Sequence, residues 1–158
     1  MIKLLFMDVD GTLTDGKIYM GEEGELCKVF DIKDGCGIHD ILPKYGIVPV
    51  IITGRSSKIV ENRAVELGIM EVYQGVRDKA ALVLQIMEKY ECSTHAVAYI
   101  GDDILDLPCI QLCGVSGCPS DAVYAVKSAC DYICKLPGGK GAVREFIEWL
   151  IQRKQADV

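Results

Sequence analysis

The sequence has few residues of the kinds that mark several classes of protein. It contains only two histidines, His39 and His95, and its eight cysteines include no Cys-x-x-Cys pair, so a zinc centre is not expected. It has no basic stretch and a net charge of −6, which argues against nucleic acid or an anionic membrane as a partner. No apolar run approaches the roughly 20 residues that span a bilayer. We therefore interpret the cysteines as reduced thiols of a cytoplasmic protein.

What the sequence does have is a regular alternation of short apolar runs with helical stretches. The apolar runs do not alternate with polar residues, as expected when helices cover both faces of a parallel sheet. The predicted strands are residues 2–8, 48–53, 70–74, 97–101, 114–116 and 131–133. The predicted helices are residues 37–45, 57–67, 78–90, 105–112, 121–128 and 142–154. The pattern predicts a single doubly wound α/β domain over residues 1–158.

One segment interrupts this alternation between the first strand and the first helix. Residues 17–20 and 25–31 have strand character, and the Gly-Glu-Glu-Gly sequence at residues 21–24 separates them, which predicts a β-hairpin. Open α/β sheets bind ligands at the carboxyl ends of their strands. The hairpin is therefore expected to stand as a flap beside the binding site.

Polar residues that carry chemistry follow the predicted strands. They are, in chain order, Asp8 and Asp10, then Thr53, Gly54 and Arg55, then Lys79, and finally Asp102, Asp103 and Asp106. Carboxylates held this close need a cation, and oxygen ligands without imidazole or thiolate favour Mg²⁺. A hydroxyl, a lysine and backbone N–H groups beside a glycine can bind phosphoryl oxygens. The pattern predicts a Mg²⁺ site next to a phosphate site.

These motifs, in this order, resemble the haloacid dehalogenase superfamily of phosphohydrolases, whose signature matches Asp-Val-Asp-Gly-Thr-Leu-Thr at residues 8–14. The resemblance implies that Asp8 attacks phosphorus and forms an aspartyl-phosphate. It implies that Asp10 protonates the leaving group and then activates water. Thr53 and Lys79 would neutralise the transferred group.

The same resemblance implies a set of metal ligands. Mg²⁺ would be bound by Asp8, by the backbone carbonyl of Asp10 and by Asp102. Asp103 and Asp106 would support the metal's water ligands from the next layer of residues.

Spacing and further motifs narrow the resemblance to one subgroup. The predicted hairpin, one helix and one strand fill the interval from Asp10 to Thr53, so no cap domain is expected. The whole chain resembles the capless, tetrameric phosphatases of 3-deoxy-2-ulosonic acid phosphates. The matching stretches are residues 8–16, 28–35, 51–55, 74–75, 99–108 and 138–145. The resemblance implies that Arg55 favours 3-deoxy-D-manno-octulosonate 8-phosphate as the substrate. Relatives that prefer the alternative, a nine-carbon, sialic-type 9-phosphate, can carry glutamate at this position.

The subgroup also implies contacts to the sugar acid and an assembly. The residues that would bind substrate are Asp10, Asp31, Lys33, Asp34, Gly35, Gly54, Arg55, Arg63 and Lys79. Four hairpins would meet in a homotetramer, with Arg63 or the loop at residues 138–141 near a neighbour's Asp8.

Two other classes of function remain as alternatives. A receiver module would need a phosphate-accepting aspartate after the second strand, where Ile-Ile-Thr-Gly-Arg at residues 51–55 has no carboxylate. A non-catalytic oligomerisation domain related to acylneuraminate cytidylyltransferases would not need the intact residues Asp8, Asp10, Thr53, Lys79 and Asp102.

Overall fold

The structure, a computed structural model, describes residues 1–156, with side chains as far as Arg153. The strands are β1 (Leu4–Met7), β2 (Tyr19–Gly21), β3 (Gly24–Cys27), β4 (Val48–Ile52), β5 (Glu71–Tyr73), β6 (Val97–Ile100), β7 (Val115–Cys118) and β8 (Tyr132–Ile133). The helices are α1 (Ile32–Cys36), α2 (Lys58–Glu66), α3 (Lys79–Lys89), α4 (Leu107–Leu112), α5 (Tyr124–Lys127) and α6 (Ala142–Ala156). Residues 157 and 158, the end of the expected domain, lie outside the described residues.

The central sheet is parallel and has the spatial order β5-β4-β1-β6-β7-β8. The pair β2 and β3 forms a separate antiparallel hairpin. Within residues 1–156 the hairpin, α1 and β4 fill the interval between β1 and Thr53, and no cap domain interrupts it. The predicted fold class, a doubly wound parallel sheet with a hairpin after the first strand, is confirmed.

The core consists of two apolar layers, one on each face of the sheet. Successive side chains of a strand point to opposite faces. In β1, Leu5 and Met7 pack with the layer under α2 and α6, whereas Leu4 and Phe6 pack with the layer under α3 and α4. All four side chains are fully buried. This is why the strand is apolar along its whole length.

The helices α2 and α3 begin at residues whose side chains cap them. The Ser57 hydroxyl accepts a hydrogen bond from the Ile59 N–H, and the Asp78 carboxylate accepts one from the Ala81 N–H at 3.0 Å. The expected helix at 121–128 is shorter, because residues 119–122 form a turn before α5. Among the described helices, none has the length and hydropathy that crossing a bilayer requires.

The first helical segment begins earlier than the sequence pattern predicts. The expectation was a helix over residues 37–45, but α1 begins at Ile32 and continues through a π turn and a 3-10 turn to Tyr45. The Asp31 carboxylate caps it by accepting a hydrogen bond from the Lys33 N–H at 2.7 Å. Two glycines in this stretch lower its helix propensity, so propensity alone does not predict a helix there.

The hairpin strands are shorter than predicted. Strand pairing ends at Cys27, so residues 28–31 leave the hairpin and lead into α1. Most of the apolar side chains around the hairpin face solvent, with Met20 61% exposed, Leu26 71% and Val29 53%. The fold therefore presents an apolar flap next to the carboxyl edge of the sheet.

Candidate active site

Polar side chains meet at the carboxyl edge of the sheet, where three neighbouring strands end. Strand β1 lies between β4 and β6, so Asp8, Thr53 and Asp102 follow adjacent strands. Together they line a cleft of about 210 Å³. The predicted residues that line this cleft are Asp8, Asp10, Thr53, Gly54, Arg55, Lys79, Asp102, Asp103 and Asp106.

Lys79 is a buried cation held between two carboxylates. Its Nζ lies 3.0 Å from Asp8 Oδ1 and 2.8 Å from Asp106 Oδ1, and the residue is 7% exposed. Burial by itself lowers the pKa of Lys79, but the attraction of Asp8 and Asp106 outweighs it, so the pKa is raised overall. Lys79 therefore keeps its positive charge on the floor of the cleft.

Asp106 anchors the turn that carries Asp102. One carboxylate oxygen accepts hydrogen bonds from Lys79 and from the Tyr99 hydroxyl, at 2.8 Å and 2.6 Å. The other accepts hydrogen bonds from the backbone N–H groups of Asp102 and Asp103, at 3.0 Å and 3.2 Å. A carboxylate offers about four lone-pair sites, and Asp106 uses all of them within the protein. Its place in the structure is that of an anchor for Lys79 and this turn.

Asp8 and Asp102 provide oxygen atoms for a cation. Oxygens of Asp8, Asp102 and Asp106 all lie within 4.8 Å of one another. Because Asp106 is fully hydrogen-bonded, Asp8 and Asp102 are the members with capacity for a metal. Carboxylate oxygens are hard donors, so the pair fits Mg²⁺.

Proximity and burial make the ionised forms of these two carboxylates costly. Burial raises the pKa of Asp8 to about 6, Asp106 adds to the rise, and Lys79 opposes it. Burial raises the pKa of Asp102 to about 8, with Asp8 and Asp106 adding to the rise. A divalent cation would offset this repulsion.

A close approach of the backbone brings the turn after β1 to Asp102. The Thr12 hydroxyl donates a hydrogen bond to Asp102 Oδ1 at 3.2 Å. Gly11 has φ +88°, and a Cβ there would lie 2.0 Å from Asp102 Oδ2. Any side chain at this position would displace Asp102, so the Asp-x-Asp-Gly spacing has a direct steric cause.

Asp10 is held by residues of the hairpin segment. The Lys28 Nζ donates a hydrogen bond to Asp10 Oδ1 at 2.6 Å and another to Glu25 Oε2 at 3.0 Å. Arg55 lies farther away, with its Nε 4.0 Å from Asp10 Oδ2 and its Nη2 3.8 Å from Glu25 Oε2. The sequence argument missed Glu25 and Lys28 as site residues, although Lys28 opens one of the quoted family stretches.

Arg77 is a further cleft residue that the sequence argument missed. It lines the cleft two residues before Lys79 and is exposed. A lone arginine before a helix carries no recognisable pattern, and only its position after β5 could have indicated it.

Several predicted contacts to the sugar acid do not lie in the cleft. Asp34 and Gly35 are buried: the Asp34 carboxylate accepts a hydrogen bond from the Arg144 N–H at the start of α6 at 2.8 Å, and Gly35 lies against the side chains of Arg63 and Leu67. Arg63 lines a separate small cavity with Asp34, and its guanidinium lies 5.6 Å from the centre of the Phe30 ring. The other two are Asp31, which caps α1, and Lys33, which is exposed. Within one chain these residues do not meet Asp8.

The loop before α6 packs on the turn after β1 of its own chain. The Gly139 N–H donates a hydrogen bond to the Thr12 carbonyl at 3.2 Å. A Cβ at Gly138 would lie 2.0 Å from the Gly11 carbonyl oxygen. The loop thus supports the turn that carries Asp8 and Asp10.

The parallel sheet, and the aspartates and buried lysine that line the cleft at its carboxyl edge, are those of a hydrolase. The family model for haloacid dehalogenase-like hydrolases matches residues 51–147, and the chain belongs to this family.

Proteins of known identity support this placement. The chain is 43% identical to the 3-deoxy-D-manno-octulosonate 8-phosphate phosphatase of Escherichia coli strain K12 over 150 residues, which is 95% of this chain and 79% of the relative. The crystal structure of 3-deoxy-D-manno-octulosonate 8-phosphate phosphatase from Moraxella catarrhalis, in complex with a magnesium ion, a phosphate ion and a KDO molecule, has a TM-score of 0.91. It shares 40% identity, covering 96% of this chain and 86% of that chain.

The cobalt-bound form of the deoxy-D-mannose-octulosonate 8-phosphate phosphatase from Haemophilus influenzae also has a TM-score of 0.91. It shares 38% identity and covers 96% of this chain and 88% of that chain. The family resemblance predicted from the motifs is confirmed.

Proposed function

We propose that this chain is a Mg²⁺-dependent phosphatase that hydrolyses 3-deoxy-D-manno-octulosonate 8-phosphate. The observation that carries the proposal is the position of the Asp8 carboxylate, between the Lys79 ammonium and the Asp102 carboxylate on the floor of the cleft. A nucleophile there has a cation on one side and a metal-binding oxygen on the other. The relatives named for this activity align along nearly the whole chain.

The first half of the reaction transfers the phosphoryl group to the protein. A carboxylate oxygen of Asp8 attacks phosphorus, the ester P–O bond breaks, and Asp10 gives a proton to the departing alkoxide. Thr53 and Lys79, which both line the cleft, bind the phosphoryl oxygens. When bound by Asp8, Asp102 and the Asp10 carbonyl, Mg²⁺ would supply charge neutralisation.

The second half restores the protein. A water molecule attacks phosphorus, Asp10 takes its proton, and the bond between phosphorus and Asp8 breaks to release inorganic phosphate. The proton that Asp10 takes from water replaces the one that it gave to the leaving group, so the cycle closes. The buried Lys79 keeps its charge throughout and stabilises the negative charge that develops on the phosphoryl oxygens.

The sugar acid brings a carboxylate that needs a cation. Arg55 is half exposed, is held only loosely at 3.8 Å and 4.0 Å, and lines the cleft, so it is free to bind that group. The arginine itself, in place of the glutamate that relatives preferring the nine-carbon acid can carry at this position, favours the eight-carbon acid.

We also propose that the whole chain, residues 1–158, works as one capless catalytic unit in a homotetramer. The exposed apolar side chains of the hairpin and of the segment after it, among them Met20, Leu26 and Val29, support this proposal. A lone apolar hairpin is only marginally stable, and its unpaired strand edges favour association with another chain. Packing of hairpins would also bring a neighbour's Arg63 toward the cleft. The free state of all eight cysteines supports a place in the cytoplasm.

Release of inorganic phosphate from a panel of esters tests the proposed activity. With Mg²⁺ present, we expect the highest kcat/KM for 3-deoxy-D-manno-octulosonate 8-phosphate, a lower value for nine-carbon ulosonic acid 9-phosphates, and the lowest for simple sugar phosphates. Asp8→Asn, purified in parallel, is the control for contaminating phosphatases. No phosphate from any ester would refute the phosphatase proposal, and a preference for the nine-carbon acid would refute the substrate.

A further inference from the structure

The segment after the hairpin carries a buried lysine, Lys28, whose charged end contacts Asp10 of the cleft. The Lys28 side chain is 2% exposed, although lysines are rarely buried without paired charges. Its Nζ has two carboxylate partners, Asp10 Oδ1 at 2.6 Å and Glu25 Oε2 at 3.0 Å. Lys28 therefore links the hairpin to the turn after β1.

Four charged side chains form a closed ring of alternating sign around this contact: Asp10, Lys28, Glu25 and Arg55. The ring has a tight half and a loose half. Both distances to Lys28 are those of hydrogen bonds, whereas both distances to Arg55 are near 4 Å and its side chain is 48% exposed. Arg55 can leave the ring to bind an incoming anion. If Lys28 moved away from its carboxylate partners, its buried positive charge would be left unpaired.

The two halves act on different oxygens of the same carboxylate. Lys28 holds Oδ1 of Asp10, and Oδ2 is the oxygen on the side of Arg55 and the cleft. Without Lys28, the Asp10 side chain could rotate about its Cα–Cβ bond into other staggered positions. A group that transfers a proton must lie within about 3 Å of its partner, so such rotation would impair transfer.

We infer that Lys28 is a positioning residue that fixes Asp10 from the hairpin segment and directs its second oxygen to the leaving group. This inference rests on the proposed phosphatase activity and on the acid role of Asp10. It makes the hairpin a working part of each chain's own site, in addition to any role in assembly. Glu25 completes the arrangement by holding Lys28 from the other side.

The test is the dependence of kcat on the leaving group, measured with Mg²⁺ over phosphate monoesters from para-nitrophenyl phosphate to simple alkyl phosphates. Lys28→Met keeps the length of the side chain and removes its charge. We expect it to lower kcat by about 10- to 100-fold on alkyl esters, the size of effect that a 1 Å misplacement produces, and by a smaller factor on para-nitrophenyl phosphate. The plot of log kcat against leaving-group pKa should become steeper, as in Asp10→Asn. In Lys28→Arg its slope should lie between those of the wild type and Lys28→Met.

Two controls separate positioning from loss of structure. Lys17→Met makes the same change at an exposed lysine just before the hairpin and should leave kcat unchanged for every ester. The double variant Asp10→Asn with Lys28→Met should be no slower than Asp10→Asn alone, because Lys28 acts through Asp10. A misfolded fraction lowers all rates equally and does not alter the slope.

An unchanged slope in Lys28→Met would overturn the inference, as would a full additional loss in the double variant. Failure of the proposed function looks different, because the wild-type protein would then release no phosphate from any ester in the series.

Discussion

Replacement of Asp34 by asparagine should make the protein more stable at neutral pH. Asp34 is 1% exposed. One carboxylate oxygen accepts a hydrogen bond from the Arg144 N–H at the start of α6, and among the described residues the other has no hydrogen-bond partner. Burial raises the pKa of Asp34 from 3.8 to about 6, although backbone N–H groups of Arg144, Gly141 and Val143 favour the charged form. Asparagine keeps the accepting oxygen and removes the buried charge.

The size of the effect follows from the pKa. A rise of roughly two units, at about 1.4 kcal/mol each, corresponds to about 3 kcal/mol. Between pH 3.8 and pH 6 the folded protein holds a proton that the unfolded chain has released, so this carboxyl lowers the free energy of unfolding as the pH rises. Above pH 6 the full penalty is present, and below pH 4 it is absent. Asp34→Asn should therefore gain up to about 3 kcal/mol at pH 8, with the gain shrinking toward pH 4.

Urea unfolding at several pH values, followed by the fluorescence of the single tryptophan, Trp149, measures this difference. All variants should be compared at one protein concentration, because assembly would add to stability. Glu88→Gln, which removes one exposed negative charge from α3, is the control for net charge. A less stable Asp34→Asn at pH 8, or a gain that does not change between pH 4.5 and pH 8, would refute the reasoning.

Three further variants test the site and the assembly. Asp8→Asn should reduce phosphate release by at least about 1,000-fold with unchanged circular dichroism, and substantial turnover would remove Asp8 as the nucleophile. Asp102→Ala should raise the Mg²⁺ concentration needed for half-maximal activity by about 10-fold or more while changing the KM for the ester less, and EDTA should abolish wild-type activity. Equal changes in both constants would contradict a metal role for Asp102. Val29→Glu should yield species smaller than a tetramer in sedimentation, whereas Val65→Glu, at an exposed valine on α2, should not. Sedimentation of the wild type as a fully active monomer would contradict the proposed assembly.

The centre of the sheet is predictable from the sequence because β1 and β6 are buried on both faces and are therefore apolar throughout. The residues at the strand ends are predictable for a related reason. Adjacent parallel strands place their carboxyl ends at one edge, so the order of Asp8, Thr53 and Asp102 along the chain indicates that they meet. Neither inference needs a side-chain orientation.

Contacts made by the hairpin segment are not predictable in the same way. The local sequence pattern indicates a hairpin but does not predict how it is oriented on the domain. Only that orientation brings Lys28 to Asp10. Because Asp31 caps α1, the helix begins earlier in the chain than the pattern predicts, and Asp34 comes to lie against the start of α6. These placements depend on packing between segments that are distant in the chain, and the periodicity of the sequence does not predict them.

The central position of β1 has a consequence for how the protein is made. Leu4 pairs with Val48 on one side and with Val97 on the other. During synthesis β1 must therefore wait for two much later segments before its edges are covered, and long-range parallel pairing of this kind is slow. The turn that carries Asp102 and Asp106 follows β6, so Asp8 meets it only when β6 has docked. During synthesis the nucleophile exists long before its site does, and a nascent chain that stops short of residue 106 has no assembled site.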